Sequence, residues 1–107
     1  MAESEILKAI AAQFGREQKV GLGQWSGLPC IKTRNKVFAI LWGRDVAFRL
    51  GGEELAEALR IDGARLFEPK KTTKGPMKDW VKIPDAQSAL WSRYAKAAYE
   101  YVSTLSE

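Results

Sequence analysis

LPCIKTRNKVFAILWGRDVAFRL, residues 28–50, is the most informative stretch of the sequence. Its centre, 37–42, is β-branched and aromatic, carries no charge and is short, which predicts a strand buried on both faces. The polar segment before it contains Asn35, a residue that tolerates positive φ, and predicts a turn. Gly43 predicts a second turn, and the alternation in 46–50 predicts a third strand. Because short turns join antiparallel neighbours, the three strands form a meander with 37–42 in the centre.

Helices and further strands are predicted on both sides of this meander. Apolar residues at helical spacing predict a helix over 4–14, which Gly15 ends. A short helix over 53–60, brief strands at 64–67 and 80–83, and a long helix over 85–105 follow. Twenty helical residues span about 30 Å, enough to cover a small sheet. The fold class is therefore α+β, with an antiparallel sheet flanked by an N-terminal and a long C-terminal helix.

The segment VGLGQWSG, residues 20–27, contains three glycines. A glycine-rich loop can bind phosphate, but this one matches neither the dinucleotide nor the P-loop pattern, and no strand–loop–helix context surrounds it. The spacing favours an irregular edge strand whose glycines allow a close approach to the neighbouring strand.

Composition limits the classes of protein that fit. A chain of 107 residues with 46% hydrophobic residues fits one globular domain, 1–107. The acidic N-terminus is not followed by a long apolar run, which argues against a signal peptide or a membrane span. Cys30 is the single cysteine, so the chain forms no internal disulfide and a reducing, cytoplasmic location is expected.

Reaction chemistry is not indicated. The chain contains no His, the commonest general base and transition-metal ligand. Cys30 has no His to activate it and falls in a predicted strand, which favours a buried structural thiol. No acidic cluster has the spacing of a metal site. We therefore expect no enzyme activity, no cofactor and no metal.

Basic residues give the only positive functional signal, in a chain with formal net charge +4. They concentrate in the predicted turns and in the lysine-rich loop 70–78. Cations in turns can contact phosphates, which predicts a nucleic-acid surface. The alternative is that basic turns keep strand edges soluble and unpaired. The candidate residues are Lys32, Arg34, Lys36, Arg44, Lys70, Lys71, Lys74 and Lys78.

Four tryptophans are a second set of candidates. Periodicity assigns Trp42 and Trp91 to the core. Trp25 and Trp80 have no assigned position; core or rim packing is favoured, and an exposed aromatic patch that binds a protein partner or a second copy is the alternative.

Two segments are similar to known families. GLPCIK at 27–32 followed by KVFA at 36–39 resembles the meander of MmcQ/YjbR-like proteins. GPMKDWV at 75–81, followed by a long amphipathic helix, resembles the end of the TfoX N-terminal domain. The resemblance implies a curved antiparallel sheet flanked by helices. It departs at 24–27, where QWSG stands in place of the Met-Phe-Gly-Gly of the TfoX pattern, and residues 1–107 contain no counterpart of the second helical domain of competence regulators.

The resemblance also implies a function. MmcQ/YjbR-like proteins are described as candidate DNA-binding proteins with a double-wing shape. TfoX-like proteins are associated with the regulation of competence. Neither family supplies a catalytic residue. We therefore expect a non-enzymatic nucleic-acid-binding or regulatory module, with the turns at 32–36 and 70–78 as its wings. The alternative is a protein-interaction adaptor that uses Trp25 and Trp80.

Overall fold

The computed structural model describes residues 2–15, 19–25, 27–67 and 77–104. Three α-helices and six strands make up this part of the chain, with a 3-10 helix at Asp85–Leu90. The other elements are α1 Ala2–Ala11, β1 Val20–Trp25, β2 Leu28–Thr33, β3 Lys36–Trp42, β4 Asp45–Arg49, α2 Gly52–Leu59, β5 Arg65–Phe67, β6 Met77–Ile83 and α3 Trp91–Ser103.

The strands form one antiparallel sheet in the order β1-β2-β3-β4-β6-β5, which is not closed into a barrel. The predicted meander is confirmed as β2–β3–β4, and the glycine-rich segment is β1, an edge strand as expected. β6 pairs with β4, and β5 lies outside it. The α+β fold class is thus confirmed.

Two turns have the backbone that the sequence predicts. Arg34 and Asn35 have φ of 51° and 69°, the positive pair that a type I′ hairpin turn requires. Gly43, the first residue of the β3–β4 turn, has φ of 63°. Both connections are two residues long, so each hairpin register is fixed locally.

A β-bulge interrupts the pairing of β2 with β3. Ile31 pairs with Ala39 and Lys32 with Val37, so Phe38 is an extra residue without a partner on β2. The bulge allows Phe38 and Ala39 to join the same apolar cluster, which strict alternation would prevent. Phe38 therefore packs under the helices, against the rings of Phe14 and Tyr99.

All three α-helices pack on one face of the sheet. The main apolar cluster joins Leu7 and Ile10 of α1, Ala58 of α2 and the buried face of α3 to strand residues such as Phe48. Trp91 is 7% exposed, and its Nε1 donates to the backbone oxygen of Ile83 at 3.1 Å. The assignment of Trp91 to the core is confirmed. None of the described helices is long and apolar enough to cross a membrane.

Two helix boundaries differ from the prediction. α1 ends at Ala11, and turn hydrogen bonds carry the chain to Phe14. The long final helix is wrong in extent, because Asp85–Leu90 is 3-10 and Gln87, with φ −111° and ψ 27°, is not helical. The N–H of Asp85 donates to Asp45 Oδ1 at 3.0 Å, which ties this segment to the start of β4.

Candidate functional site

The sheet face opposite the helices has its own row of residues. In-register pairs connect Gly23, Cys30, Ile40, Ala47, Lys82 and Arg65 across all six strands. Paired residues share a face, so the row defines what we call the helix-free face. Cys30, Ile40 and Ala47 are fully buried in a second apolar cluster with Phe67 and Trp80. Among the described elements, no helix contributes to this cluster.

Aromatic rings enclose this second cluster. The rings of Trp42 and Phe67 meet edge to face at 5.4 Å, and Trp80 lies 6.4 Å from Phe67. Trp80 is only 6% exposed, which confirms the favoured prediction of core packing for this residue; the alternative, that it belongs to an exposed partner-binding patch, is wrong. Trp80 alternates with the helix-facing Val81, which puts its indole on the helix-free face beside Phe67. Trp25 and Trp42 are half-buried and pack against the edge of the cluster.

Cations surround the aromatic cluster on the helix-free face. The side chain of Lys32 lies across Gly23: a Cβ at Gly23 would come within 2.9 Å of Lys32 Cε. Arg49 pairs with Asp79 at 2.8 Å, and Lys82 lies 3.8 Å from Asp45. Arg65 is exposed next to Lys82. Arg49, Arg65 and Lys82 were not predicted as site residues, although the alternation in 46–50 puts Arg49 on the face opposite Val46 and Phe48.

The predicted turn cations differ in their surroundings. Arg34 is exposed at the tip of the β2–β3 turn. Lys36 is half-buried, and its Nζ donates to the backbone oxygen of Val102 at 3.5 Å, near the C-terminus of α3. That position favours a cation because of the helix dipole, which gives Lys36 a structural role. Arg44 is exposed in the β3–β4 turn.

Strand direction determines which turns share an end of the sheet. The β2–β3 turn is at one end, and the β3–β4 turn with Arg44 is at the other. Because β4, β6 and β5 alternate in direction, the chain leaves β5 at Phe67 and enters β6 at Met77 on the Arg34 side. Lys70, Lys71 and Lys74 lie outside the described residues, as does the side chain of Lys78.

Charge is segregated between the two layers. The strands with their turns at 34–35 and 43–44 contain eight cations and two acids, whereas the helices contain three cations and seven acids. The sheet residues are Lys32, Arg34, Lys36, Arg44, Arg49, Arg65, Lys78 and Lys82, with Asp45 and Asp79. The helical residues are Lys8, Arg93 and Lys96, with Glu3, Glu5, Glu53, Glu54, Glu57, Asp85 and Glu100. Among the described helices and strands, the sheet layer therefore carries the positive charge.

Cys30 is a structural thiol, as the sequence indicates. It is fully buried in the paired row, between Gly23 and Ile40, and burial raises its pKa, an effect that nearby Lys32 and a backbone hydrogen bond involving Gly23 only partly oppose. A neutral, enclosed thiol is a poor nucleophile.

Other kinds of site find little support in the described part of the chain. Its His, Cys, Asp and Glu residues form no group of three or more that would hold a metal ion. A cavity of about 310 Å³ lies between α1 and the start of α3, bounded by side chains without charge. Its lining residues are Ile6, Ala9, Ile10, Ser88, Trp91 and Ser92.

Neither models of protein families nor curated proteins match this chain. The resemblance to MmcQ/YjbR-like and TfoX proteins therefore stays a prediction, and the function rests on the chain's own geometry.

Proposed function

We propose that this domain is a non-enzymatic nucleic-acid-binding module that contacts phosphates with the cations of the helix-free face and its turns. The separation of charge between the layers carries the proposal. A polyanion approaching the helix-free face meets described cations that outnumber the acids there, while the helices oppose it with seven acids against three cations. The cations of this face and its turns are Lys32, Arg34, Arg44, Arg49, Arg65 and Lys82, and the acids are Asp45 and Asp79. Such a field orients the domain during encounter, and each neutralised phosphate adds affinity through counterion release.

Single-stranded nucleic acid is the expected form. Trp25 and Trp42 are half-buried, with part of each side chain accessible beside Leu28 on the helix-free face. Aromatic side chains next to a basic surface stack on unpaired bases, whose faces are hidden in a duplex. Cys30, as a buried unpaired thiol, supports a reducing compartment such as the cytoplasm for this activity.

A salt titration tests the proposal. Binding to a short labelled single strand is expected at about 50 mM salt, with log K falling linearly in log salt at a slope of about −2 to −4, or roughly −0.7 per phosphate. The matching duplex is expected to bind more weakly at every salt concentration. Absence of binding to both forms at low salt would remove nucleic acid as the partner.

The backbone of Arg34 supports a functional role for its cation. At φ 51° a long side chain is strained by about 1 kcal/mol, and Asn fits this turn position better. We expect Arg34→Asn to raise the free energy of unfolding by about 0.5–1 kcal/mol. The same change is expected to weaken single-strand binding about 5-fold at 0.1 M salt, by loss of one phosphate contact.

Urea unfolding and a binding titration measure the two effects of Arg34→Asn. The matched control is Lys96→Gln, which removes one exposed cation from α3. Its binding is expected to stay within about 2-fold of the original chain, because it acts only through net charge. Arg34→Asn binding as tightly as the control would contradict a phosphate contact at Arg34.

A protein-interaction adaptor is the second candidate. The observation that favours it is the apolar corner of Trp25, Leu28 and Trp42, all half-buried at the same end of the sheet. Accessible aromatic residues of this kind often anchor protein interfaces. A protein-interaction adaptor is expected to bind neither the single strand nor the duplex in the salt titration. That titration therefore distinguishes the two candidate functions.

A further inference from the structure

β1 has the features of an unprotected sheet edge. It is six residues long, Val20–Trp25, and contains no charge and no proline. Natural edges are commonly blunted by charge, proline or short length. The opposite edge fits that rule, since β5 has three residues and carries the exposed Arg65. β1 itself has no charged residue, no proline and no shortening of this kind, which indicates that its outer edge pairs with a further strand.

The hairpin register identifies the backbone groups that β1 offers. Trp25 and Leu28 flank a two-residue connection, so they form a hydrogen-bonded pair. Gly23 and Gly21 follow as the other positions bonded to β2, because such pairs alternate along the strand. Val20, Leu22 and Gln24 therefore direct their N–H and C=O groups away from the sheet.

Side chains along this edge are suited to a symmetric contact. Leu22 is 44% exposed, the most exposed of the large hydrophobic residues in the described part of the chain. On the other face of β1, Gly21 and Gly23 have no side chain of their own, and the Lys32 side chain of β2 lies across Gly23.

We infer that β1 pairs antiparallel with β1 of a second copy, with Leu22 on the two-fold axis. Leu22 then faces Leu22 of the other copy, and Val20 faces Gln24. Gly21 faces Gly23, and no charged residue of Val20–Trp25 is opposed to another, because the strand contains none. Three residues of each copy exchange both backbone hydrogen bonds, and the two exposed leucine side chains are buried against each other.

The geometry of such a pair is compatible with the helical layer. α1 packs on β1 and β2, so it lies about one strand spacing from the two-fold axis. The two copies of α1 are then about 10 Å apart, a distance at which helices pack. The two-fold axis is perpendicular to the sheet, so both helix-free faces lie on the same side of a twelve-stranded sheet. This inference does not depend on the proposed function.

Sedimentation equilibrium of the full chain tests the inference. Because the contact is small, dissociation is expected on the order of 100 µM, and loading from about 10 µM to about 1 mM covers the transition. Leu22→Lys places two cations together at the axis and is expected to weaken association more than 10-fold. Leu59→Lys is the matched control, since Leu59 is 39% exposed on α2 and the substitution is the same. A monomer at every concentration, or equal loss of association in both variants, would overturn the inference.

Amide hydrogen exchange on the unmodified chain provides an independent measurement. The outward amides of Leu22 and Gln24 are expected to exchange more slowly at high than at low protein concentration. The inward amides of Gly21 and Gly23 are expected to be protected at both. Association without added protection at Leu22 and Gln24 would assign the contact to another surface and overturn pairing through β1.

Discussion

Replacing Phe38 with Ala is expected to lower the free energy of unfolding by about 3–5 kcal/mol, the range for a fully buried phenylalanine. Phe38 has no exposed surface, and its ring centre lies 5.7 Å from that of Phe14 and 5.9 Å from that of Tyr99, both in edge-to-face geometry. The bulge in β3 holds this side chain under the helices. Its removal therefore leaves a cavity where the sheet, α3 and the turn after α1 meet.

Urea unfolding followed by circular dichroism measures the effect of Phe38→Ala. The expected loss is a large share of the roughly 5–15 kcal/mol that stabilises an ordinary domain. Leu59→Ala is the comparison, because Leu59 is 39% exposed and its truncation is expected to cost less than about 1 kcal/mol. A loss below about 1 kcal/mol for Phe38→Ala would mean that the bulge does not anchor the helical layer.

Local signals were sufficient for the meander. Asn35 and Gly43 have the positive φ that their turns need, so the register of β2, β3 and β4 follows from a few neighbouring residues. Alternation also assigned faces correctly: Val46, Phe48 and Val81 lie in the cluster under the helices, and Trp80 in the other. Period-two patterns are reliable where both faces of a strand are packed.

Contacts distant in sequence decided what the pattern missed. β6 pairs with β4 across the segment containing α2 and β5, and no local signal specifies that neighbour. The second apolar cluster forms only when Phe67 and Trp42 meet Trp80, so the burial of Trp80 was not predictable from its own strand. Lys36 is likewise predicted from its sequence position as a turn cation, and only the packing of α3 puts the backbone oxygen of Val102 beside it.

The candidate site was predictable only as a list of cations. That most of these cations belong to the sheet layer, and most of the acids to the helices, is known only once the elements are assembled. The strand order, in turn, puts Arg44 at the end of the sheet opposite Arg34. Segregation of charge is a property of the assembled layers, since helical and sheet residues are interleaved along the chain.

Reversing two cations on the sheet layer is expected to have the largest effect on binding. In the double variant Lys32→Glu and Arg34→Glu, both positions lose a cation at the same end of the helix-free face. Loss of two phosphate contacts is expected to lower affinity for a single strand at least about 25-fold at 0.1 M salt and to reduce the salt slope by about 1.4. The repulsion from the new carboxylates adds to that loss.

The control for that experiment is the double variant Lys8→Glu and Lys96→Glu. It changes the net charge by the same amount but on the exposed surfaces of α1 and α3. Screening at 0.1 M salt, with a Debye length of about 10 Å, leaves distant charges little influence, so this variant is expected to retain affinity within about 3-fold. Equal weakening in the two double variants would show that net charge alone drives binding, and the helix-free face would lose its assignment as the site. Strong loss confined to the sheet variant, with the reduced salt slope, is the result that contact between phosphates and this face requires.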